Sequence, residues 1–103
     1  MRMLGVRTER RREERHSTAL LGHCQLPNGS SLSVEITNLS SGGCRLAEEL
    51  DVVAGEPVRL SVAGMVLAAS VIWIKDGMTG IALSEALEPE LVTYLVACCR
   101  RAA

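Results

Sequence analysis

The sequence predicts an all-β domain with one helix: a six-stranded antiparallel β-barrel with a C-terminal α-helix. Three observations predict it. Short runs of alternating or continuous apolar residues recur between residues 17 and 84. The dipeptides Asn28-Gly29 and Asp76-Gly77, which favour two-residue hairpin turns, separate neighbouring runs. After Leu87 the apolar spacing changes from the strand period to the helix period. Many short strands joined by tight turns favour closure into a barrel, which leaves no open edges.

Residues 1–16 read as an arm, rich in Arg and Glu, and residues 17–103 as the barrel domain with its helix at about 87–101. The first strand is residues 17–26, ended by the turn Pro27-Asn28-Gly29-Ser30. In residues 31–37, Leu32, Val34 and Ile36 alternate with Ser33, Glu35 and Thr37, as in a half-buried strand. A polar turn, Asn38 to Gly43, leads to a short third strand at residues 44–47. Residues 57–63 alternate again, and Gly64 marks a tight turn. Residues 65–74 are apolar at nearly every position, which predicts a strand covered on both faces, with Trp73 in the core. The sixth strand is residues 79–84, with Gly80 at a bend or close approach. Glu88-Pro89-Glu90 starts the helix, with Pro in the first helical position and acids in the first turn. Leu87, Leu91, Tyr94, Leu95 and Cys98 form its apolar stripe; Val92, Val96 and Cys99 widen it enough to admit a homodimer contact.

A chain of 103 residues makes one domain with one modest core. No apolar run is long enough to span a bilayer or serve as a signal peptide, so the expectation is a cytoplasmic protein with no membrane partner. The four cysteines lack metal-ligand spacing and read as small buried hydrophobes, with no cofactor and no metal. Catalytic motifs are missing too: there is no HExxH, GxSxG or phosphate-binding loop, which predicts a protein that is not an enzyme. Charge is unevenly placed. Residues 1–16 hold six Arg, no Lys and three Glu, for +3, while the remainder carries −4. A basic arm on an acidic body suits a small anion and would repel a nucleic-acid polymer.

Two segments carry the chemistry. The first is Arg11-Arg12-Glu13-Glu14-Arg15, immediately before the first strand. The second is Asn38-Leu39-Ser40-Ser41-Gly42-Gly43. Arginine forks bind phosphate oxygens and the O6/N7 edge of guanine in bidentate fashion, and their planes stack on purines. Asn38 can pair with a base edge, and Ser40 or Ser41 with a phosphate. Gly42 and Gly43 are expected to supply positive φ and close backbone approach. Together the segments describe a site for a small anionic guanine nucleotide.

At this point the chain resembles the PilZ domain family, a bacterial receptor domain for the second messenger cyclic di-GMP. The family's RxxxR and [D/N]xSxxG motifs match Arg11…Arg15 and Asn38…Ser40…Gly43, and Val71-Ile72-Trp73-Ile74…Gly80-Ile81-Ala82-Leu83 is similar to its late hairpin. Arg7…Arg11 also fits RxxxR; Arg11 and Arg15 lie nearer the first strand. The resemblance covers residues 9–100 and implies the same six-stranded barrel. It implies that Arg11 and Arg15 hold guanine and phosphate while Asn38, Ser40 and Gly43 line the opposite wall. It implies too that Arg10, just before the motif, goes with an intercalated ligand dimer. Glu13 and Glu14 depart from the pattern and add negative charge beside an anion site. The implied function is non-catalytic sensing of cyclic di-GMP, ordering the arm and signalling to an unidentified downstream protein in motility or biofilm regulation. The alternative is a PilZ-like adaptor that binds protein partners and no nucleotide.

Overall fold

A computed structural model describes the backbone of residues 15–102 and the side chains of residues 15–99. Its elements are β1 (His16–Gln25), β2 (Ser31–Leu39), β3 (Gly43–Leu46), β4 (Pro57–Val62), β5 (Met65–Lys75), β6 (Met78–Leu83) and α1 (Pro89–Ala102). The strands close into a barrel in the order β1-β2-β3-β6-β5-β4, and every neighbouring pair is antiparallel. The predicted fold class is the observed one.

The turns follow the residues that make them. Asn28 Oδ1 accepts from Ser30 N–H at 2.8 Å, and Gly29 takes a φ of 93°. Asp76 and Gly77 both have positive φ, the conformation that matches the twist of a two-residue hairpin. Ala63-Gly64 joins β4 to β5 in the same way, with a non-glycine residue at φ 50°.

Inward-pointing side chains fill the barrel, including Leu20, Cys24, Val34, Ile36, Leu46, Leu60, Val71 and Ile81. The helix adds Val92 and Leu95, three positions apart on one face. Tyr94, predicted on the apolar stripe, is 47% exposed. Its position, one residue from Leu95, turns it about 100° away from the barrel. Residues 65–75 are not covered on both faces: Val66 and Ile72 are exposed at 64% and 53%. The helix packs chiefly against β1, so the outer face of β5 faces solvent.

Three strands carry β-bulges. Register shifts interrupt β1 between Ser17 and Leu20, β2 between Ile36 and Asn38, and β5 between Val71 and Trp73. Each inserts a residue that its neighbour does not match, so strict alternation fails beyond it. These three shifts decide which residues reach the outer surface at one side of the barrel.

Candidate functional site

Asn38 lies in β2 and not in a turn. Plain alternation from Val34 and Ile36 would point it into the core. The bulge at Thr37 reverses that: Ile36 pairs with Leu46, and Asn38 pairs with Arg45. The inward role passes to Leu39, which is 3% exposed. The bulge at Ile72 acts likewise in β5. Val71 pairs with buried Ile81, and Trp73 with Gly80, the next residue along β6. Trp73 therefore leaves the core, contrary to the sequence expectation, and is half-buried on the outer face.

One cross-strand row results: Ser17, Asn38, Arg45, Gly80 and Trp73, contributed by β1, β2, β3, β6 and β5. Gly80 has no side chain to fill its place in the row. A Cβ there would overlap the indole ring of Trp73, so the ring lies directly on the glycine backbone. Arg15 enters from the chain before β1 and donates from Nη1 to Asn38 Oδ1 at 2.8 Å. Arg45 Nε donates to Thr37 Oγ1 at 3.3 Å. Arg15, Asn38, Arg45, Trp73 and Gly80 line a shallow hollow of about 140 Å³.

The other motif residues frame this row. Ser40 is fully buried; its backbone N–H donates to Gly43 O at 2.9 Å and its hydroxyl to the same oxygen at 3.4 Å. Gly43 is required by close approach to β6, since a Cβ would collide with the carbonyl oxygen of Ile81. Neither Gly42 nor Gly43 has the positive φ expected of them. Arg15 and Asn38 are thus brought together at the surface, while Ser40 and Gly43 hold the turn beneath. Arg10 and Arg11, with the choice between the two RxxxR registers, lie outside the described residues.

Two residues of the hollow escaped the sequence reading. Arg45 is the second residue after Gly43 in a strand that alternates, which marks it as outward-facing once Cys44 and Leu46 are inward. Trp73 could be found only through the bulge. The paired glycine supplied the available hint, because a close approach at Gly80 needs something large beside it.

Larger grooves lie elsewhere; one of about 340 Å³ has a single guanidinium group, from Arg59, and no aromatic residue, and two others lack cationic Arg or Lys. One of about 560 Å³ runs past Leu21, Met65 and Val66 and has no Arg, Lys, Asp or Glu in its lining. Another, of about 540 Å³, is lined by Leu67, Leu83 and Leu91 with Glu85 and Glu88, which repel anions. Among the described residues, the small hollow joins two guanidinium groups, an amide and an indole face.

The sequence pattern of the PilZ domain matches residues 9–101. Among solved structures, the chain is similar to the PilZ domain of CeSA from a cellulose-synthesizing bacterium. The TM-score is 0.61 at 16% identity, over 82% of this chain and 91% of that one. It is also similar to Lpg0364, an uncharacterized Legionella protein, with a TM-score of 0.48 at 20% identity over 86% and 92% of the two chains. No curated protein matches the chain significantly.

Proposed function

Because this chain belongs to the PilZ domain family, we propose that it is a receptor for cyclic di-GMP whose ligand lies across the row from Asn38 to Trp73. PilZ domains are in general non-catalytic effector domains for this nucleotide. The observation that carries the reading for this chain is the convergence on one hollow of Arg15, Asn38, Arg45 and Trp73.

Each group has a task suited to its chemistry. The guanidinium groups of Arg15 and Arg45 offer planar forks to phosphate oxygens or a guanine edge. The indole offers a face on which a guanine stacks, a contact worth about 1–3 kcal/mol per base. The amide of Asn38 holds Arg15 in place and keeps its own N–H₂ for the ligand. A hollow of about 140 Å³ is below the roughly 300–1,000 Å³ of sites that enclose small ligands. A dinucleotide would rest over it, and residues 9–14, with Arg10 and Arg11, would supply the second wall. Ordering of that arm then changes the surface offered to a downstream protein in the cytoplasm. The site needs no metal and performs no bond-breaking step.

Titration calorimetry with cyclic di-GMP tests this on the full chain. Wild type is expected to release heat at micromolar ligand. Loss of one charge-assisted contact of about 1.5–3 kcal/mol weakens binding by about 10- to 150-fold, the expectation for Arg15→Ala. Trp73 is the single tryptophan of the chain, so its fluorescence reports the same event without a label. The nucleotide should be recovered unchanged. Absence of both heat and fluorescence change at tens of micromolar ligand would leave the protein-binding adaptor as the function.

A further inference from the structure

The helix and the chain that leads into it are hydrogen-bonded to two segments that run on from residues of the hollow, the turn after Asn38 and the strand after Arg15. At its start, the chain leaving β6 runs beside the turn that follows β2. Leu83 N–H donates to Gly42 O at 3.0 Å, and Leu87 N–H donates to Ser41 O at 2.8 Å. Near its other end, Cys99 Sγ accepts from Ala19 N–H at 3.1 Å. Ala19 lies inside the β1 bulge, four residues after Arg15. The bulge frees this amide: Ser17 and Leu20 keep their β2 partners, and Ala19 has none. The two grips differ in strength. Amide–carbonyl bonds fix the chain just before the helix, whereas a thiol sulfur is a weak acceptor. Val92 and Leu95 anchor the helix between them.

We propose that α1 is the output lever of the nucleotide site, and that breaking the Ala19–Cys99 contact is the step by which occupancy reaches it. The inference rests on the function proposed above. Arg15 and Ala19 belong to one short stretch interrupted by a bulge, the part of β1 least constrained by pairing. A nucleotide that recruits the Arg15 guanidinium draws this stretch toward the hollow and away from Cys99. The Ser41–Leu87 end stays held, so the Cys99 end moves. Coupling of this kind is reciprocal. If the bound nucleotide disfavours the sulfur contact, then the contact disfavours the nucleotide, and its removal tightens binding.

Two measurements on the full chain test the lever. The first is the alkylation rate of Cys99 by iodoacetamide, read by mass spectrometry in a Cys98→Ala background. Cys24 and Cys44 are buried, and burial shields a thiol and disfavours the reactive thiolate. Cyclic di-GMP is expected to raise the rate by about fivefold or more, the lower range of allosteric coupling. The second is calorimetry of Cys99→Ala, which is expected to bind the nucleotide about fivefold tighter than wild type. Cys99→Ser keeps an acceptor and should stay near wild type, as should Cys98→Ala, which removes no such bond. Calorimetry of wild type separates the two levels of the argument. No wild-type heat removes the receptor reading itself. Heat with an unchanged Cys99 rate overturns the lever alone, as does equal tightening by the Ala and Ser variants.

Discussion

Asn38 and Gly43 are two fixed residues of one motif with different physical duties. Asn38 is half-exposed, and its hydrogen-bond partner is the exposed Arg15. Exposed contacts of this kind contribute little to folding. Gly43 is buried and sits where any side chain meets the Ile81 carbonyl. Asn38→Ala is therefore expected to lower nucleotide affinity by about tenfold or more while changing stability by less than about 0.5 kcal/mol. Gly43→Ala should lose about 1–3 kcal/mol of stability, the cost of forcing atoms into a packed place, and lose binding as the turn shifts. Urea denaturation and calorimetry on the same two variants separate these duties. Equal stability losses would mean that both residues are structural.

At the scale of elements, the alternating runs and the Asn-Gly and Asp-Gly turns made all six strands and the helix legible, to within two residues at each strand end. Alternation was enough wherever one face meets the core. It failed at the bulges, because a bulge is set by the twist and closure of the barrel and leaves no fixed signature in the strand that carries it. The sequence pattern alone therefore places Asn38 in a turn and Trp73 in the core, although both motif segments are recognisable. The long loop between β3 and β4 shows a different kind of constraint. Thr79, fully buried in β6, donates from its hydroxyl to Glu48 O at 2.7 Å and accepts from Leu50 N–H at 3.0 Å. Gly77 N–H donates to Glu49 Oε2 at 2.8 Å beside it. One hydroxyl thus satisfies two backbone groups that the loop would otherwise bury unpaired. Thr79→Val keeps the shape and removes both bonds, so it should cost about 2–6 kcal/mol, one desolvation penalty for each orphaned group. Urea denaturation reads it directly; a loss under about 1 kcal/mol would mean that water replaces the hydroxyl.

Across the whole molecule, the barrel must keep two titratable thiols neutral in its interior. Burial, reinforced by the negative charge of Glu48, pushes the Cys24 thiol up to about 11. Burial and the neighbouring Cys24 push Cys44 up to about 12, against a smaller opposing pull from Arg15. An unfolded chain would release these protons near the ordinary value of 9.0. Below that pH both states hold them, and the stability of the fold is unaffected by either thiol. Above it the unfolded chain binds fewer protons than the folded one, so stability falls as pH rises toward 11 and 12. Each thiol contributes on the order of 1 kcal/mol per pH unit in that window. Thermal unfolding followed by circular dichroism at pH 8, 9 and 10 should therefore give a melting temperature that is level at first and then declines. Cys44→Ala costs packing at pH 8 but should decline less steeply above pH 9, since one proton sink is gone. A variant that tracks the wild-type slope would assign the alkaline loss to other groups. The same neutrality bears on function, because a thiolate at Cys44 would set a negative charge beside Arg15 and oppose an anionic ligand in the hollow. Nucleotide affinity is expected to hold steady from pH 7 to 9, where the Cys44 thiol keeps its proton.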